Sequence, residues 1–220
     1  LYIFLKESYI PADDESKSSW LELLSLCYKA FFDQRIKVMI YAVFFSDIGF
    51  NVFFGYIGLY LVKIYQMTSI EIGYFLMVMV IGYFFNLLVI YPVIQKRIQI
   101  NMAIKLMLII SAISLILMSF IMDLWVCYLL SLIAISTNAI KDTLLLLYFS
   151  EQVDEHSQGW VMGALGSIAS IAAILSGSII SILSYFSPQI PILVSGILIL
   201  ISVWCMVFFL TERKKKIQTE

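Results

Sequence analysis

Charge is scarce in this 220-residue chain: 13% of its residues are Asp, Glu, Lys or Arg, where soluble domains carry about 25%. With 62% apolar residues and a mean hydropathy of +0.97, that scarcity excludes an ordinary water-soluble enzyme or binding module. A basic excess is lacking as well. The net charge is −1, whereas a nucleic-acid binder gathers Lys and Arg on one face. Histidine occurs once, at His156 beside Glu155, with no Cys or second His near it, so it reads as a loop residue and no metal set forms. The cysteines, Cys27, Cys127 and Cys205, are odd in number and two lie in apolar runs, which argues against a disulfide framework. No Gly-rich phosphate loop or nucleophile elbow occurs, so neither an enzyme nor a cofactor is expected. The opening Leu1–Leu5 has no basic flank and no small-residue cleavage site, unlike a signal peptide. It reads as the last turn of a helix, which predicts a fragment lacking its upstream half.

What the chain does have is length of apolar sequence. The few charges sit in short clusters between apolar runs of about twenty residues, the length that crosses a bilayer core of about 30 Å. Six spans are predicted, at 38–62, 72–95, 102–122, 124–149, 160–186 and 190–210. The fold class is therefore an all-α, polytopic transmembrane helix bundle, with the six spans within residues 36–211. Ahead of it, residues 6–18 hold Pro11 and the acidic run Asp13–Glu15 and read as a cytoplasmic linker. Ser19 and Glu22 make a capping-box pattern for a helix over 19–35, whose apolar stripe of Trp20, Leu24, Tyr28 and Phe31 suits a membrane surface. Residues 212–220 form a basic tail. Alternate loops collect Lys6, Lys17, Lys29, Arg35, Lys37, Lys96, Arg97, Lys105, Arg213 and Lys214–Lys216 on one side, and Lys63 alone on the other. The positive-inside rule then places both termini in the cytoplasm of an integral, multi-pass protein, expected in a bacterial inner membrane.

Three charges remain inside spans: Asp47, Lys141 and Asp142. Each costs about 2.5–3.5 kcal/mol at a helix centre on insertion scales, so each is expected to face protein or a watery cavity. Asp47 lies about 15 Å of helix past Lys37, near the midplane, with Asn51 one turn on. Asn138 stands one turn before Lys141 and Asp142. The first and fourth spans thus carry polar stripes, which read as a translocation path that exchanges a proton or binds a polar substrate group. The competing reading makes the charges glue between helices, and the spacing leaves open whether Lys141 pairs with Asp47 or with Asp142. Asn86 and Ser111 are each expected to make an interhelical hydrogen bond. In the fifth span Gly159, Gly163, Ser167, Ser170, Ala173, Gly177 and Ser181 form a stripe of small side chains suited to close helix packing.

Several local patterns resemble the C-terminal half of a major facilitator superfamily transporter, nearest the proton-coupled drug antiporters that include the tetracycline-efflux proteins. Leu59–Val62 followed by Ser69-Ile70-Glu71-Ile72-Gly73 is similar to the family's passage from helix seven to helix eight, and Gln95-Lys96-Arg97 to its basic loop after helix eight. Ser150–Gly159, with Gly163 after it, resembles the stretch between helices ten and eleven in the tetracycline-efflux branch. Phe4-Leu5-Lys6-Glu7 recurs as Phe209-Leu210-Thr211-Glu212, where such segments close helices six and twelve. The family's tenth helix often carries Gly and Pro where this chain has Asn138 to Thr143. The resemblance implies one half of a twelve-helix fold, a cavity lined by the first and fourth spans, and partners that include the missing N-terminal half, protons, a small-molecule substrate and the lipid bilayer. It implies proton-coupled efflux of a small amphipathic molecule or drug. Uptake of a polar metabolite, and a structural subunit without transport, are the alternatives.

Overall fold

The computed structural model describes residues 37–152 and 155–219, with side chains at 39–151 and 158–208. The expected helix end at 1–5, the linker, the interfacial helix, and the side chains of His156 and the basic tail lie outside them. Six helices long and apolar enough to cross a membrane make up the described part, and among the described residues there is no strand. They are α1 (Lys37–Tyr65), α2 (Ser69–Arg97), α3 (Ile100–Phe120), α4 (Leu124–Gln152), α5 (Glu155–Leu183) and α6 (Ile190–Thr219). Their cores coincide with the six apolar runs, though α3 stops at Phe120, and α6 runs past Leu210 through the basic segment as helix.

Short-range chemistry sets the ends. At the end of α1, Gln66 takes a left-handed φ of 54° and turns the chain toward Thr68. Thr68 then caps α2: its backbone N–H donates to Glu71 Oε2 at 2.7 Å, and its hydroxyl accepts from the Glu71 N–H at 3.4 Å. Asp123 caps α4 by accepting the Val126 N–H at 3.0 Å. Pro191 sits in the first turn of α6, where its missing N–H costs nothing. Within α2, Pro92 follows a single π-helical turn, Asn86–Ile90, the kind of widening that bends an otherwise straight helix.

Helix α1 packs mainly on α6 and α5, α3 on α4 and α6, and α2 mainly on α4. A close seam joins α1, α6 and α3. A Cβ added at Gly49 would lie 2.7 Å from the Ser195 carbonyl, and one at Gly196 would lie 2.7 Å from Ile116 and 3.1 Å from the Ala112 carbonyl. Both positions need glycine because backbones approach there. Burial is uneven: 6% of the most apolar stretch of α2 and 17% of that of α5 is buried, against half or more in the other four helices. Those two helices present open faces. The small-residue stripe of α5 belongs to one of them: added Cβ atoms at Gly159, Gly163 and Gly177 meet nothing within 4 Å. Ser167 and Ser170 close on their own helix, each hydrogen-bonded to the carbonyl four residues back at 2.9 Å. Among the described residues the stripe therefore packs on no other helix, and α5 instead buries Val161, Ala164, Ile168 and Ala172.

Candidate functional site

The polar stripes of α1 and α4 face each other inside the bundle. Lys141 is 1% exposed, and its ammonium spends all three donors. Nζ lies 2.8 Å from Asp142 Oδ1, 3.1 Å from Asp47 Oδ1 and 3.3 Å from Ser46 Oγ. The Ser46 hydroxyl in turn donates to the Val43 carbonyl at 2.9 Å, so its lone pair points to the ammonium. Asn138 completes the network from one turn before, donating to Asp142 Oδ2 at 2.9 Å. Both partners left open by the sequence are thus taken at once. The Lys141 stem crosses the gap between helices, which is why its head meets a carboxylate on α1 and its own neighbour on α4.

A buried ammonium costs several kcal/mol to desolvate, and two carboxylates with a hydroxyl offset that cost only in tight geometry. The carboxylates are not equally sealed. The side chain of Asp47 is 19% exposed and that of Asp142 is 52% exposed. Both line a cavity of about 490 Å³ between α1, α4 and α5, together with Asn51 and Asn138. Asn51 shares this cavity and bonds to none of the other four. A second cavity, about 520 Å³, opens between α1, α2 and α4. It shares Phe50, Asn138 and Asp142 with the first, and Phe54, Tyr83 and Phe84 form its aromatic wall. Lys141 lines neither cavity. The five residues expected on the path, Asp47, Asn51, Asn138, Lys141 and Asp142, are therefore one neighbourhood, four of them bonded.

Sequence reasoning missed Ser46, whose only signal was its place beside Asp47, and the aromatic wall, which nothing distinguished from lipid-facing residues. Of the two isolated polar residues, Asn86 makes the expected interhelical bond, donating to Ser136 Oγ on α4 at 2.7 Å, and also to the Gly82 carbonyl at 2.7 Å. Ser111 does not. It is buried on α3 with no hydrogen-bond partner among the described residues. Among the described residues no group of His, Cys, Asp or Glu is placed to hold a metal ion.

A family model described as Major Facilitator Superfamily matches residues 1–177. No curated protein matches the chain, so the match identifies the superfamily and not the drug-antiporter branch.

Proposed function

This chain belongs to the Major Facilitator Superfamily, and from that premise we propose that it is part of a proton-coupled transporter exporting a small amphipathic molecule. Membership and six apolar helices make it an integral, multi-pass membrane transporter with half of the twelve-helix fold. The observation that carries the finer reading is the bond from Lys141 on α4 to Asp47 on α1, made beside the cavity that Asp47 lines.

That bond is a two-state element. With Asp47 ionised, the ammonium ties α1 to α4. A proton on Asp47 removes the Coulombic attraction, yet Lys141 is not stranded, because Asp142 still neutralises it at 2.8 Å. Without a second carboxylate, losing one partner of a buried pair costs about 3–5 kcal/mol. Asp142 thus keeps Lys141 paired when Asp47 lets go, so the contact between two cavity-lining helices can loosen and be remade. A substrate seated in the cavity and a proton on Asp47 then act on the same contact, which is what coupling requires.

The open faces of α2 and α5 support a second six-helix half closing the cavity, with substrate held between halves. The Lys and Arg asymmetry supports both ends lying in the cytoplasm. The likeness of Ser150–Gly159 to the tetracycline-efflux branch supports export over uptake. In proteoliposomes holding the full-length protein, Asp47→Asn is expected to abolish pH-gradient-driven transport while leaving substrate exchange without a gradient measurable. Wild-type rates with an unchanged response to the gradient would remove Asp47 from coupling and return the network to helix glue.

A further inference from the structure

We propose that a cleft between α2, α3 and α4 holds one acyl chain of an anionic phospholipid, with the phosphate on the basic turn joining α2 to α3. The cleft has a volume of about 330 Å³ and shares no lining residue with the two cavities beside the ion network. Ser136 and Ile140 of α4 line it, whereas Asn138 and Asp142 line those cavities. The site is thus separate from the transport reading. Helices α2 and α3 follow one another across a two-residue turn and touch chiefly through Tyr91–Arg97 of α2. Away from the turn they part, and α4 closes the floor of the wedge. Ile90 is 38% exposed, so the cleft opens on the outer surface of the bundle.

The walls suit hydrocarbon: Ile90 and Ile94 come from α2, Met107 and Ile110 from α3, and Ile140 from α4. Polar side chains at the inner end are already bonded. Asn86 spends both amide hydrogens on Ser136 and the Gly82 carbonyl, and the Thr137 hydroxyl bonds to carbonyls of its own helix. A polar solute would find these donors taken, whereas an acyl chain has no hydrogen bond to lose. Length and charge then select the lipid. From Asn86 to Arg97 is about 16 Å of helix, close to one leaflet's share, about 15 Å, of a bilayer core. Lys96 and Arg97 close α2, and Lys105 follows on α3. Residues 72–122 contain no Asp or Glu, and among the described residues none of the three cations pairs with a carboxylate. Arg97 stands one turn past Ile94, on the cleft side of α2 and at its mouth. A phosphate there answers the basic charge while its chain runs inward past Ile94 and Ile90. The Lys and Arg asymmetry assigns this end to the cytoplasmic leaflet, whose anionic lipids are drawn to such clusters.

The test uses phosphatidylglycerol carrying a photoactivatable diazirine halfway along one acyl chain, added to the full-length protein in detergent micelles. Crosslinked residues are read by peptide mass spectrometry. The label is expected at Ile110 and Ile133, inside the cleft, several times more often than at Ile109 and Ile113, which are exposed on α3. Unlabelled phosphatidylglycerol is expected to displace the cleft label at a concentration at least about tenfold below that needed of phosphatidylcholine with the same chains. Lys96→Gln combined with Arg97→Gln is expected to bring that ratio below about threefold in a protein that elutes as the wild type does. A label no stronger in the cleft than at Ile109 and Ile113, whether the cleft is empty or filled by another segment of the chain, overturns the proposal. Equal displacement by the two lipids in the wild type overturns it too, whether or not the double variant folds. An unchanged ratio in a folded double variant does the same.

Discussion

Asp47 and Gly49 stand on nearly opposite sides of α1 and meet opposite surroundings. On the Gly49 side, α6 approaches until a methyl group would collide with the Ser195 carbonyl. On the Asp47 side, α4 stays back far enough that only a lysine stem bridges the gap, beside a cavity of about 490 Å³. One helix therefore has a side fixed by backbone proximity and a side held by a single ionic contact. Close apolar packing has no second arrangement of similar energy, whereas an ion pair with a spare carboxylate has one. The difference shows where a membrane protein of this build stores rigidity and where it can move.

The comparison is broken most severely on the open side. Lys141→Met leaves Asp47 and Asp142 close together without their shared cation, and is expected to cost about 3–5 kcal/mol of stability. Thermal unfolding in detergent checks this, and adding Asp47→Asn and Asp142→Asn to the same variant should recover much of the loss. The closed side comes next. Gly196→Val puts atoms into Ile116 and the Ala112 backbone and should cost about 1–3 kcal/mol, read in the same unfolding assay. If Gly196→Val is silent, the seam is looser than its geometry implies.

Smaller effects sharpen the contrast. Asn86→Ala removes the bond from α2 to Ser136 and is expected to cost about 0.6–2 kcal/mol, the range for an interhelical hydrogen bond in a bilayer. Gly163→Ala, on the open stripe of α5, meets no neighbour among the described residues. Its stability should be unchanged, or raised by up to about 1 kcal/mol through helix propensity. A marked loss of stability in Gly163→Ala would show that the stripe is already packed.

How much of this was legible in the sequence follows from what apolar solvent does to pattern. Span length is imposed by bilayer thickness, so the six helices could be read from runs and charge clusters. Asp47, Lys141 and Asp142 were legible for the same reason, because an ionised group inside a span needs a partner there. Helix facing was not legible. A membrane helix is apolar on its lipid side and its packed side alike, and periodicity no longer separates them. Hence Phe54, Tyr83 and Phe84 gave no sign of lining a cavity, and the small-residue stripe of α5 gave no sign that it turns away from its own bundle. The π-helical turn in α2 had a signal that went unused: Pro92 lies within an apolar run, next to it.

The central claim is that the Asp47 side of α1 and the Asn138 side of α4 border one water-reachable cavity. Cysteine accessibility tests it most directly, with single cysteines at positions 51 and 138 and controls at 113 on α3 and 204 on α6, whose native Ile113 and Trp204 lie exposed on the outer surface. A small charged thiol reagent is applied to the full-length protein in membranes. The account predicts that 51 and 138 react several times faster than both controls, and that bound substrate slows them. Reaction at 51 and 138 no faster than at 113 and 204 would contradict it.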